Sequence, residues 1–283
     1  MEKPLEQRLK DLCDEQPFHI GFSFINLQTG GFFNRFGDEI VPSASTRKIF
    51  ILACVLADIK AGKLNLTDHF FIQKKYQDNN SGIFHYFDPN ACVISLHDAL
   101  VAMVAISDNA CTGGIVEMIG LDRLNKYITS LGFNQTLLRY GNLSASAHTP
   151  ARVETTNVTT PNEAAAMIHW FLKGSIDEKE AVHIGLDSEL CNLALKILLM
   201  QQINYRLPFH LPVEARVAHK TGTRSNAYND VGIVYKGEHP LFILAVYTFE
   251  VPEMIENMPG KYVASDLIAR LCRSCYDSFE DVS

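Results

Sequence analysis

The chain lacks any apolar run able to cross a bilayer. Its longest uninterrupted one, Ile49 to Ala57, is far short of the ~20 residues a spanning helix needs. It also lacks an excess of positive charge: Lys plus Arg is 25 against 32 Asp plus Glu, a net charge of -7. That balance argues against nucleic acid as a main partner. No repeat, low-complexity tract or Gly/Ser linker divides the 283 residues. Seven cysteines is an odd count for a disulfide framework, so they read as reduced, mostly buried thiols. Cys272 and Cys275 form a lone C-x-x-C without a second pair. There is no H-E-x-x-H, and His85, His97, His169 and His219 lack ligand spacing. No metal and no other cofactor is therefore expected. The first ten residues contain no apolar h-region. The expectation is a cytoplasmic protein as the sequence stands, and a periplasmic or secreted one if an export signal was removed.

What remains is ordinary globular material, 47% hydrophobic and 20% charged, enough for one large core or two modest domains. Residues 5–16 read as a helix. Phe18 to Leu27 alternates as a strand, Thr29-Gly30-Gly31 turns, and Gly31 to Phe36 returns. From about 45 to 200 the pattern is helical. Lys48 to Ala61 stops at Gly62, and Ser95 to Asp98 opens another helix with a capping-box-like pair. Leu121 to Leu131 ends at Gly132. Thr160 caps a helix in which Pro161 takes the first turn and Glu163 reaches back, ending at Gly174; Leu190 to Gln201 follows. Arg216 to Thr221, Asp230 to Tyr235 and Leu241 to Phe249 read as strands, and Lys261 to Tyr276 as a closing helix. Strands at both ends with helices between predict an α/β protein, an antiparallel sheet flanked by helices plus an all-α domain. Residues 1–37 and 199–283 are expected to share the sheet domain and 38–198 to form the helical one. A site belongs in the cleft between them.

Three short motifs occur in order: Ser45-Thr46-Arg47-Lys48, Ser107-Asp108-Asn109 and Lys220-Thr221-Gly222. Three residues along a helix return nearly to the same face, so Ser45 and Lys48 are neighbours. A hydroxyl becomes a good nucleophile when a base takes its proton, and a desolvated lysine is such a base. A helix N-terminus also favours anionic intermediates. Each motif has an ordinary structural reading too. Ser45 serves as a cap and Lys48 as a solvated face; Ser-Asp-Asn is a turn or cap; Lys-Thr-Gly is an edge strand leaving its sheet. The combination S-x-x-K, S-D-N, K-T-G carries the information.

With these motifs the chain resembles the class A β-lactamases and, more broadly, the penicillin-recognising serine enzymes. The resemblance covers nearly the whole length, including Ser-Gly-Ile-Phe at 81–84, Thr159-Thr160-Pro161 and Asn229-Asp230. It implies that Ser45 is the acylated nucleophile, Lys48 the adjacent proton acceptor and Ser107 the relay to the leaving nitrogen. It further implies that Asn109 bonds the substrate's side-chain amide. Lys220 and Thr221 take its carboxylate, and Gly222 leaves room along the strand. The backbone N–H groups of Ser45 and Thr223 form the oxyanion hole.

The resemblance breaks at one point. The family's deacylating glutamate sits on an Ω-shaped loop. The equivalent loop here, Leu137 to Thr160, has Leu143-Ser144-Ala145 where that glutamate is expected. The loop's one acid is Glu154, either a displaced base or a surface partner of Arg152 or Arg139. His148 is a further candidate base. Phe84 and Tyr86 are placed to wall the cleft or to pack the core, and Arg224 to add charge near the carboxylate or to sit in solvent. The reading is a monomeric serine hydrolase acting on a small-molecule amide or ester, β-lactams first, with no nucleic-acid or membrane partner and slow deacylation. A penicillin-binding peptidase, an esterase, a biosynthetic acyl hydrolase and an acyl-trapping sensor stay open as alternatives.

Overall fold

The computed structural model describes residues 3–77, 81–141 and 151–279. Five strands form one antiparallel sheet: β1 (His19–Asn26), β2 (Phe32–Arg35), β3 (Ala215–Arg224), β4 (Ala227–Lys236) and β5 (His239–Phe249). Their order across the sheet is β2-β1-β5-β4-β3. The amino-terminal hairpin therefore docks on the strand nearest the carboxyl end, with His19 opposite Phe249 and Asn26 opposite Phe242. β3 is left as an edge.

The helices are α1 (Leu5–Asp14), α2 (Lys48–Lys60), α3 (Leu96–Ala105), α4 (Asn109–Ile119), α5 (Leu121–Ser130), α6 (Pro161–Ile176), α7 (Glu178–His183), α8 (Ser188–Leu199) and α9 (Gly260–Asp277). α2 is apolar all round because its whole length from Lys48 to Asp58 is buried. The alternation in β5 shows how the sheet is covered. Ile243, Ala245 and Tyr247 join the core shared with α2, α3, α6 and α8. Phe242, Leu244 and Val246 join a second core with Leu9 of α1 and Leu267, Ile268 and Leu271 of α9. A strand buried on both faces needs no polar alternation. Cys272 and Cys275 are fully buried in the second core as free thiols. Burial drives both thiols well up from their ordinary range, which makes them poor metal ligands and poor nucleophiles.

Several local expectations are refined. α6 is capped by Thr160, whose Oγ1 accepts from the Glu163 N–H at 3.1 Å. The Glu163 carboxylate does not reach back to the cap. It accepts instead from the Gln135 N–H at 2.9 Å and the Thr136 hydroxyl at 2.5 Å, pinning the chain before the loop. α6 also runs past Gly174, whose missing side chain leaves space for Cys191 Sγ and Ala181. Ser-Asp-Asn both follows α3 and opens a separate helix, since Asp108 caps α4 through the Cys111 N–H at 2.9 Å.

No described helix is long and apolar enough to cross a membrane.

Candidate active site

Ser45 lies in a 3₁₀ turn, Ala44–Arg47, that runs directly into α2. In a 3₁₀ turn residues i and i+3 eclipse, so the tighter winding aligns Ser45 with Lys48 more closely than an α-helix does. Ser45 is half-buried, whereas Thr46, Arg47 and Lys48 are buried. The turn is suspended from its neighbours. The Thr46 hydroxyl donates to the Ser43 carbonyl at 2.7 Å and accepts from the Tyr247 hydroxyl of β5 at 2.9 Å. Asn229 Nδ2 of β4 donates to the Pro42 carbonyl at 2.8 Å.

Lys48 Nζ reaches the second motif. It donates to the Ser107 carbonyl at 2.7 Å, to Ser107 Oγ at 3.0 Å and to Asn109 Oδ1 at 2.8 Å. Burial first, then the positive charges of Lys220 and Arg47, hold its ammonium well below the ordinary lysine range. The carboxylate that most opposes this is Asp108. A neutral amine has two N–H donors and a lone pair, so the contact with the Ser107 hydroxyl is the one able to reverse direction.

Asp108 makes the turn that presents Ser107. Its Oδ2 accepts from the N–H groups of Ile83 at 2.7 Å and Phe84 at 2.9 Å, and its Oδ1 caps α4. Ser81 Oγ donates to the Ser107 carbonyl at 2.9 Å. These bonds hold Ser107 at φ 57, and Ala44 beside the proposed nucleophile stands at φ 47. Left-handed backbone at a non-glycine residue costs ~1–3 kcal/mol and persists only where its surroundings over-determine it. Gly82 (φ +96) is obligatory here, because a Cβ on it would lie 2.1 Å from Asp108 Oδ2. That gives Ser-Gly-Ile-Phe at 81–84 a physical reason. Phe84 is half-buried against the main core, and Tyr86 is exposed.

The third motif forms the facing wall. Gly222 passes so close to the serine turn that a Cβ would meet the Ser43 carbonyl at 2.8 Å and Ala44 Cβ at 3.2 Å. The space left by this glycine is thus occupied by the chain's own Ser43–Thr46 turn. Lys220 is buried, and its Nζ donates to the Thr221 carbonyl at 2.8 Å. Burial pulls its pKa down to about 7, against a raising influence from Asp230. His219 sits behind the strand in a closed network, with Nδ1 2.9 Å from Asp230 Oδ1 and Nε2 3.1 Å from Asn204 Oδ1.

Two arginines escaped the motif reading. Arg206 is buried behind the K-T-G strand. Its Nη1 donates to the carbonyls of Gly222 at 2.8 Å and Asn229 at 2.7 Å, and its Nη2 to Thr223 Oγ1 at 2.6 Å. It lies in an irregular segment with no local pattern to mark it. Arg47 occupies the third position of S-x-x-K, and its Nη2 donates to the Gly141 carbonyl at 2.6 Å. Burial lowers its pKa to about 10. Arg47 thus clamps the loop beside Lys48, and a Cβ on Gly141 would meet Val116 Cγ1 at 2.7 Å.

The rest of the described loop is held by Asn157 and Arg224. Asn157 Oδ1 accepts from the N–H of Arg139 at 2.7 Å and of Tyr140 at 3.2 Å. Arg224 turns to this loop, with Nη1 donating to the Tyr140 hydroxyl at 2.7 Å. Glu154 is exposed in a turn and forms no ion pair with Arg139 or Arg152 among the described residues. Leu143, Ser144, Ala145 and His148 lie outside the described residues.

The geometry brings together a half-buried serine, a buried lysine of weakened basicity, a second serine and an edge strand with its own buried lysine. With the sheet and helical layers described above, this is an architecture of the β-lactamase type. The family model of the beta-lactamase enzyme family matches residues 4–279, and the chain belongs to that family. It is 23% identical to the beta-lactamase BRO-1 of Moraxella catarrhalis, over 96% of this chain and 84% of that one. It is also 23% identical to beta-lactamase PSE-4 of Pseudomonas aeruginosa, over 99% and 91% respectively. The solved structure of PBP-A superposes with a TM-score of 0.82 at 25% identity, over 98% of this chain and 96% of that one. The Sphaerobacter thermophilus beta-lactamase superposes at 0.80, with 24% identity over 97% and 96%. The fold is that of the class A β-lactamases. A mutant of PBP-A is known as an acyl-enzyme complex with penicillin G.

Proposed function

We propose that the protein is an acyl-serine hydrolase that opens β-lactam amides and releases the product slowly. The observation that carries this reading is Lys48 Nζ within 3.0 Å of both Ser107 Oγ and Asn109 Oδ1, one 3₁₀ turn from Ser45. Ser45 Oγ attacks the lactam carbonyl as its proton passes to Lys48 Nζ. The C–N bond then breaks, and the proton travels through Ser107 Oγ to the leaving nitrogen. The backbone N–H groups of Ser45 and Thr223 carry the oxyanion. Lys220 and Thr221 receive the substrate carboxylate, Asn109 its side-chain amide. Water must then cleave the Ser45 ester.

For that second half the carboxylate that acts on Lys48, Asp108, is already spent on the N–H groups of Ile83, Phe84 and Cys111. The loop beside Lys48 is held by the Arg47–Gly141 bond. Positioned general-base catalysis contributes about 10²–10⁴-fold, so acylation is expected to outrun hydrolysis. The test is time-resolved mass spectrometry of the protein with penicillin G and with a cephalosporin. A stoichiometric burst of Ser45 adduct, decaying over a low steady rate, is expected. Fast turnover without accumulation would overturn slow release, and the absence of an adduct with either compound would overturn the β-lactam reading. A non-β-lactam ester or amide would then be the substrate class.

Glu154→Gln separates the remaining cases. Because Glu154 is exposed and outside the Lys48 network, the steady rate should change less than about twofold. A steep loss of steady rate with the burst intact would instead make Glu154 the displaced base.

A further inference from the structure

Beyond the end of the K-T-G strand lies a half-open cavity of about 760 Å³ between the 205–209 segment, β3, β4 and α9. Four aromatic side chains, Tyr205, Phe209, Tyr228 and Tyr262, line it together with Met258 and Val263. Of these, Tyr205, Phe209, Met258 and Tyr262 are all large side chains about half exposed to solvent. Four such groups converging on one concavity is unusual for a surface that binds nothing, and 300–1,000 Å³ is the usual size of a small-molecule site.

The cavity adjoins the candidate active site at Thr223, and Arg206 reaches its wall from behind the strand. Arg206 bonds the Gly222 carbonyl and the Thr223 hydroxyl. Its guanidinium carbon also lies 5.2 Å from the ring centre of Tyr205 and 5.7 Å from that of Tyr228. The group that holds the strand end thus also fixes two rings of the cavity. The charge lining is mixed but leans positive. Lys261 stands over the Tyr262 ring at 4.7 Å, and Asp266 is engaged by His210 at 2.7 Å. An edge strand receives an extended ligand alongside it. A carboxylate held at Lys220 and Thr221, as read above, leaves the group attached next to it to run along the strand past Thr223, towards this space.

We infer that the cavity is a substrate subsite for a large apolar or aromatic substituent on the carboxylate side of the acyl donor. This rests on the acyl-serine reading above and narrows its substrate class. Donors with a small group at that position leave the aromatic wall in water. Donors with a ring there bury it, which is worth on the order of tenfold or more in selectivity for an apolar pocket.

The test uses two cephalosporins that share an acylamino side chain and differ at the carbon next to the carboxylate-bearing one, methyl in one and 2-phenylethyl in the other. The saturated linker keeps the electronic reactivity of the lactam alike. The second-order constant for Ser45 acylation is read by quenched mass spectrometry. The phenylethyl compound is expected to react about tenfold faster. Tyr262→Ala and Phe209→Ala are expected to bring that ratio towards one. Both rings are half exposed, so the variants should fold, which far-ultraviolet circular dichroism checks. Equal constants in the unaltered protein overturn the proposal, as does a preference that both variants leave undiminished. If neither compound acylates Ser45, the acyl-serine reading fails on its own. The subsite is then decided by equilibrium binding of the two compounds to Ser45→Ala protein, where equal affinities overturn it and a phenylethyl preference lost in Tyr262→Ala supports it.

Discussion

Ser45→Ala protein is expected to form no covalent adduct with penicillin G and to retain its fold. The loss should be on the order of 10⁶-fold or greater, the scale on which removal of an attacking hydroxyl abolishes acyl transfer. Ser45 is half-buried in a turn whose anchoring bonds are made by Ser43, Thr46, Tyr247 and Asn229, so the substitution removes a nucleophile and little structure. Ser107 is the other hydroxyl in the cluster, but its Oγ is engaged with Lys48 and its turn is held at a left-handed φ by Asp108 and Ser81. Intact-mass measurement over hours, with a thermal melt beside it, checks both halves. An adduct on the variant would move the nucleophile elsewhere.

Lys48→Ala should slow acylation by about 10²–10⁴-fold, the usual worth of a positioned base. The pH dependence gives a sharper readout. Burial and the neighbouring cations favour the neutral amine, so Lys48 is available as a base well below the ordinary lysine range. Its contribution is gained as pH rises through that lowered value and lost as pH falls below it. Lys220 works in the opposite sense, because only its protonated form attracts a carboxylate. With its pKa near 7 in the free protein, that attraction is lost as pH rises. Acylation should therefore follow a bell whose acidic limb disappears in Lys48→Ala. The two lysines interact, so the limbs report the pair. An unchanged acidic limb in the variant would assign the proton transfer to another group.

The reach of sequence reasoning follows from which interactions are local. S-x-x-K, the Thr160 cap and the α2 stop at Gly62 are set by near neighbours, and all three were legible. So was the shared sheet, because β5 and β1 carry strand chemistry at opposite ends of the chain. Residues whose meaning depends on distant packing were not. Arg206 has no motif, and only the fold places its guanidinium under Gly222 and Asn229. Gly222 read as a gap for substrate, whereas its near contact is with Ser43 and Ala44, about 180 positions earlier in the chain. Glu163 fitted a capping box, but Gln135 and Thr136 supply stronger partners than its own helix. Arg47 carried no reading of its own within S-x-x-K, because its partner, the Gly141 carbonyl, lies 94 positions further along the chain.

The strand order has a consequence for how the molecule is made. β1 lies between β2 and β5, so as synthesis proceeds from the amino end its hairpin emerges early but stays open along one side until residue 249 has appeared. Everything from α2 to α8 is synthesised in that interval, and its largely helical contacts are short in sequence. Closing β1 onto β5 ties together residues more than 200 positions apart, the kind of contact that slows folding. Until then the apolar face of the early hairpin, with Phe22 and Phe24, has no lasting cover. Assembly of the sheet is thus the late event, complete only when β5 meets the early hairpin.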